Sequence, residues 1–161
     1  MARYRRWTLV RAPLDAVWAF HSRIDGLTAV TPAWLGLRVE GVCGPDGRRD
    51  PDGLPVETTV GLSMRPFGIG PRQHWTSRIV GRERGDEAAW FRDEMVEGPF
   101  PRWEHTHRFV ATDSGTVLVD DVEYDLPYVP RALGSIGWPG FELVFADRQR
   151  RTRVLLEAET A

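Results

Sequence analysis

Two histidines separated by a single residue stand in a segment that reads as a strand, Trp103-Glu104-His105-Thr106-His107-Arg108-Phe109. Successive strand side chains point to opposite faces. One face of residues 102–110 therefore carries Trp103, His105, His107 and Phe109, and the other Arg102, Glu104, Thr106 and Arg108. The charged face is expected to meet water, which turns both imidazoles inward. Three readings of them stay open. They can form a satisfied polar network in a core, or serve as polar anchors for a mostly apolar guest. They can also ligate a metal, as His-x-His on one strand does in zinc sites. No further His or carboxylate lies at an obvious third-ligand spacing along the chain, so no metal is expected.

Hairpin geometry supplies the neighbours. A turn at Gly98-Pro99-Phe100-Pro101 sets Asp93 opposite His105 and Phe91 opposite His107. A turn over 112–115 sets Asp120 opposite His107, Val122 opposite His105 and Tyr124 opposite Trp103. A slip of one residue would move both aspartates to the outside. In register, the concave face holds two carboxylate–imidazole pairs among aromatic walls, and buried carboxylates need such partners. A His paired with Asp, as in His107–Asp120, can move protons near neutral pH. A covalent nucleophile is missing: Gly-x-Ser-x-Gly does not occur, and Ser22, Ser63, Ser77, Ser114 and Ser135 lie in no elbow context. Aldol cyclisation and dehydration remain open.

The elements that must position these groups follow from periodicity and turn formers. Strands are expected near 4–10, 36–43, 56–64, 72–82, 87–96, 102–111 and 115–126. Leu14, Val17, Trp18 and His21 fall at helical spacing behind Pro13, and a second short helix runs to Thr31-Pro32. Residues 44–53 are turn formers and charges, read as a mobile loop. Phe141, Phe145, Arg148, Thr152 and Leu155 make a stripe on a last helix. This is an α+β pattern. It is expected to form a helix-grip, with a curved antiparallel sheet of about seven strands closed by the terminal helix over a cavity.

Composition narrows the classes. A chain of 161 residues suits one domain, 1–161, with a net charge of -2. No basic block interleaved with aromatics supports nucleic-acid binding. All 21 Lys+Arg residues are arginine, which excludes lysine Schiff-base chemistry and a P-loop. Cys43 alone forms no internal disulfide. The first residues lack the apolar run of a signal peptide and no stretch suits a membrane span, so a cytoplasmic protein without stable membrane insertion is expected. His21 reads as a cap or packing residue and His74 as solvent-facing if Trp75 faces in. Arg148 reads as pairing with a sheet carboxylate or reaching the cavity.

Three segments carry a resemblance: Phe20-His21 through Val30-Thr31-Pro32-x-Trp34-Leu35, Phe91-x-Asp93-x-Met95 through Trp103-x-His105-x-His107-x-Phe109, and Asp120-x-Val122-x-Tyr124-x-Leu126-Pro127. With Phe145-Ala146-x-Arg148 they resemble the START-like helix-grip (SRPBCC) superfamily, nearest its polyketide cyclase/dehydrase-like and coenzyme-Q-binding-like branch. The resemblance covers about residues 4–157. It implies a deep apolar cavity under the terminal helix and a hydrophobic small-molecule partner.

The expected function is binding of a polyketide-, quinone- or lipid-like molecule, with no cofactor. Trp75, Phe91, Trp103, Phe109, Tyr124, Phe141 and Phe145 would supply walls. His105, His107, Asp93, Asp120 and Arg148 would supply polar contacts. The alternatives are a cyclase/dehydratase using His107 and Asp120 for proton transfer, and an interaction module without a ligand. The oligomeric state stays open.

Overall fold

The computed structural model describes residues 1–49 and 53–158. Strand β1 (Ala2–Val10) is followed by helices α1 (Leu14–His21) and α2 (Ile24–Val30). Six strands then run in succession: β2 (Arg38–Cys43), β3 (Thr59–Met64), β4 (Gln73–Arg84), β5 (Ala88–Glu97), β6 (Arg102–Thr112) and β7 (Gly115–Asp125). A 3-10 segment (Arg131–Gly137) leads into the long helix α3 (Trp138–Ala158). The seven strands form one antiparallel sheet in the order β1-β7-β6-β5-β4-β3-β2. The expected helix-grip is therefore the observed fold.

Local chemistry explains the boundaries. Pro13 precedes the first helical turn with φ -65 and an extended ψ, the geometry a chain entering a helix needs. Gly26 lets α2 pack against the end of α1, since a Cβ there would sit 1.9 Å from the Phe20 carbonyl oxygen. Gly115, with φ +135, opens β7 where any Cβ would sit 2.2 Å from the Val10 carbonyl oxygen of β1. Register shifts between Thr76 and Ser77 and between Ile79 and Gly81 mark bulges in β4, which bend the strand and help curve the sheet.

Some expectations need correcting. The strand expected from residue 36 begins at Arg38, because Gly36 takes a left-handed conformation closing a 3-10 turn. The strand expected from 56 begins at Thr59, after Glu57 adopts φ 70. Within the expected mobile loop, Gly44 N–H donates to the Arg48 carbonyl at 2.8 Å and Cys43 bridges Arg49, so 44–49 is a hydrogen-bonded turn. Residues 50–52 of that loop lie outside the described residues. On α3, Leu155 is exposed and Leu156 is buried. At about 3.6 residues per turn, position 156 returns to the face of Phe145, and 155 falls well off it.

The core has two parts. One gathers Val10, Val17, Leu62, Ile79, Phe109 and Leu156 under α1, and the other gathers Tyr4, Val122, Tyr124 and Phe145 under α3. Between them the interior is open. Among the described residues, no helix is long and apolar enough to cross a membrane.

Candidate functional site

The registers place the expected pairs opposite one another: Asp93 with His105, Phe91 with His107, Asp120 with His107, Val122 with His105 and Tyr124 with Trp103. Strand alternation then puts both imidazoles on the concave face, where each is nearly inaccessible. Their rings lie 3.7 Å apart between centroids, and His107 stacks on Phe91 at 4.2 Å.

The side chains cross the Cα register. The tightest contact of the cluster is diagonal, between His105 Nε2 and Asp120 Oδ1 at 2.9 Å. His107 Nδ1 is 3.4 Å from the same oxygen without making a hydrogen bond. On the cavity side, Asp93 Oδ1 is 3.6 Å from His107 Nε2 and 4.0 Å from His105 Nδ1. The two expected pairs are thus one four-membered cluster, with Asp120 behind the rings and Asp93 in front.

Groups from other elements hold this cluster. Ser77 on β4 donates to Asp93 Oδ2 at 2.9 Å. Gln149 on α3 donates to Asp120 Oδ2 at 2.8 Å. Burial raises the Asp120 carboxyl, but the hydrogen bond from His105 and the His107 ring close beside it outweigh that effect and hold the group well below the usual carboxylate range. Asp93 is lowered in the same way, with His107 the main counterweight to burial. Burial disfavours the His107 imidazolium, yet the two aspartates raise it above an ordinary histidine. His105 is lowered by burial and by the charge of His107.

A cavity of about 260 Å³ opens beside the cluster, between the sheet, α2 and α3. Trp75, Phe91, Trp103, Phe141 and Phe145 line it as expected. The polar side chains Asp93, His105, His107 and Arg148 line it as well. Arg148 Nη1 donates to Thr31 Oγ1 at 3.3 Å, and its guanidinium lies over the Phe145 ring at 5.8 Å. Three expected residues are placed elsewhere. Phe109 is fully buried between Trp18 and His21. Tyr124 packs on Phe141 and donates to the Gly134 carbonyl at 3.1 Å. Asp120 touches the cavity only through the histidines. These three sit one layer too deep, because the rings in front of them fill the surface.

Sequence reasoning missed three residues. His21 lines the cavity, with its Nε2 3.4 Å from Thr152 Oγ1, and burial pushes its pKa down to about 3. Its spacing from Leu14 and Val17 marks the buried face of α1 and could have found it. Ser77 shares the inner face of β4 with Trp75 and Ile79, again by alternation. Gln149 lies one turn beyond Phe145 on the buried face of α3.

The outer face also differs from expectation. Thr106 and Asp121 are buried there rather than solvated, because arginine stems fold across them.

A family model described as polyketide cyclase / dehydrase and lipid transport matches residues 10–153. Comparison with curated proteins finds no match. Among solved structures, a Thalictrum norcoclaurine synthase point mutant in complex with a transition state analogue is similar at TM-score 0.69 and 17% identity. That match covers 99% of this chain and 96% of the other. A protein from Chromobacterium violaceum gives TM-score 0.69 at 14% identity over 96% of both chains. One from Thermus thermophilus gives 0.60 at 17% identity over 99% of this chain and 100% of the other. At such identities these likenesses speak for the fold.

Proposed function

Because the chain belongs to the polyketide cyclase/dehydrase and lipid transport family, we propose that it binds one lipophilic polyketide-, quinone- or lipid-like molecule between its sheet and α3. The observation that carries the reading is the cavity of about 260 Å³, apolar along most of its wall and polar at the end formed by Asp93, His105, His107 and Arg148. A well-formed apolar pocket with a few convergent polar groups is the usual build of a small-molecule site. The rings bind the guest's apolar body, and the polar end fixes its oxygen atoms. Burying about 300 Å² of guest surface contributes roughly 7 kcal/mol before the costs of association, so the polar contacts are needed to bring the affinity into a useful range.

Trp75 and Trp103 both line the cavity and report on it. Titration with a lipophilic aromatic probe is expected to quench their fluorescence at one equivalent. Leu62→Trp, which fills the cavity from β3, is expected to abolish that quenching while the far-UV circular dichroism stays native. Probe binding unchanged in Leu62→Trp would overturn the reading.

One observation favours turnover of the guest as a second reading: His107 reaches the cavity with its Nε2 beside Asp93 Oδ1 at 3.6 Å. Proton transfer would then run through His107 and Asp93, with Asp120 orienting the ring from behind. Loss of turnover in His107→Ala, with affinity kept within about tenfold (roughly 1.4 kcal/mol), is the expected signature.

A further inference from the structure

We propose that Asp93, His105 and His107 form a binding site for one divalent first-row transition-metal ion, open on its remaining side to the cavity. Asp93 Oδ1 lies 3.6 Å from His107 Nε2 and 4.0 Å from His105 Nδ1. The three donor atoms all lie within 4.8 Å of one another. Bonds of about 2.1 Å to a shared ion put tetrahedral donors about 3.4 Å apart. Closing the site therefore takes only small side-chain shifts.

The far side of each group argues for ligands rather than mere neighbours. His105 turns its Nε2 to Asp120 at 2.9 Å, and His107 turns its Nδ1 toward the same oxygen at 3.4 Å. Gln149 in turn holds Asp120 from α3 at 2.8 Å. Ser77 occupies the second oxygen of Asp93 at 2.9 Å and leaves the first facing the rings. A histidine that gives one N–H to a carboxylate presents a lone pair on its other nitrogen, the arrangement found around protein-bound metals. Here His105 meets that condition, His107 Nδ1 faces the same carboxylate without a hydrogen bond, and the opposite ring nitrogens of both converge with a carboxylate oxygen in a buried space.

The donors select the ion class. Two imidazoles and one carboxylate suit zinc and its first-row neighbours, whereas calcium and magnesium prefer all-oxygen shells. Along the chain the third donor is invisible, because Asp93 comes from β5 and meets His105 across the ladder. Charge then speaks to the guest, and this part rests on the reading of the cavity as a ligand site. The ion and Arg148 together outweigh Asp93 and Asp120 by one positive charge. An anionic oxygen fits the open coordination position, such as a carboxylate, a phenolate or the enolate of a 1,3-dicarbonyl.

The test uses the whole chain, stripped with a chelator and titrated with Co²⁺ in visible absorption and with Zn²⁺ in calorimetry. One equivalent is expected to bind in the micromolar range or tighter, with the absorption bands of a nitrogen/oxygen site. His107→Gln and Asp93→Asn are expected to weaken it at least about tenfold, and Asp120→Asn, acting from behind, about 10–100-fold. His74→Gln, at an exposed histidine on the same sheet, is expected to change nothing. Should the His107 variant fail to fold, the cobalt spectrum of the unaltered protein and the His74 variant decide. Binding no tighter than about 1 mM, or equal binding in the folded His107 variant, overturns the site. Probe binding is measured separately on the metal-free protein. Metal uptake without probe binding leaves the ion and overturns the guest, and probe binding without metal uptake does the reverse.

Discussion

Asp120 and Asp121 are neighbours on β7, equally hidden from water at 3% and 4% exposure, and they face opposite sides of the sheet. Asp121, on the outer face, accepts from Arg3 Nε at 2.7 Å and Nη2 at 2.5 Å, with Arg108 at 3.4 Å and Arg5 at 3.8 Å. Asp120, on the inner face, has two imidazoles and an amide for partners. The outer partners are permanently charged, with their side chains about half exposed. Asp121 therefore clamps β1, β7 and β6 together and has no spare capacity. The inner partners are short rings whose charge can change, placed beside an open cavity. Burial alone does not mark a site; what matters is whether the partners can exchange charge with a guest.

If that distinction is right, removing the two carboxylates has unequal consequences. Asp120→Ala leaves His107 and Arg148 without their nearest buried counter-charge, and breaking a buried pair typically costs about 3–5 kcal/mol. Asp121→Ala leaves arginines that can turn to water, so about 1 kcal/mol is expected after screening. Urea denaturation measures both. In about 1 M salt, where the Debye length falls to roughly 3 Å, the Asp121 deficit shrinks and the Asp120 deficit holds. Equal costs, or equal salt response, would break the comparison.

The second prediction concerns acid. His21 has a folded pKa of about 3 against roughly 6.5 unfolded. Its folded value is depressed, so its contribution is fully present above the unfolded value. That contribution is lost as pH falls toward the folded one, because the unfolded chain takes up the proton first. Between about pH 6.5 and 4 the loss is at most about 1.4 kcal/mol per pH unit. Asp121, lowered by the Arg3 hydrogen bond against a smaller opposing effect of burial, begins to lose its contribution only below the ordinary carboxylate range, near about 4. His21→Leu is expected to make the stability profile less steep from pH 6.5 to 4, where the depressed His105 still contributes, and Asp121→Asn to leave that window unchanged. An unaltered slope in His21→Leu would show that the imidazole is not buried neutral.

How much of this was legible in the sequence depends on which element carries the residue. Strand alternation and two short turns were enough to set Asp93, Asp120 and Tyr124 against their partners, because a hairpin ties register to turn length. The crossed contact of His105 with Asp120 was not legible: register fixes Cα positions, while rotamers follow from what packs above. The helices hid most. His21, Gln149 and the exchange of Leu155 for Leu156 depend on how α1 and α3 are rotated over the sheet. A stripe read one residue out of phase still looks amphipathic.

The smallest expected effect tests the comparison one layer further out, at the two hydroxyls that brace it. On the inner side Ser77 donates to Asp93 at 2.9 Å, and on the outer side Thr106 accepts from Arg92 Nε, also at 2.9 Å. The lengths match but the surroundings do not. Asp93 is packed against the cluster, with a side chain 17% exposed, whereas that of Arg92 is 41% exposed. Ser77→Ala leaves a carboxylate oxygen short of a donor where water has little room, at a cost of about 1 kcal/mol. Thr106→Val frees a guanidinium that water re-solvates, and the cost is expected to stay within about 0.5 kcal/mol. Denaturation midpoints resolve the pair. A larger loss at Thr106 would mean that the arginine lattice outside, rather than the imidazole cluster inside, sets how rigidly β5 and β6 are held.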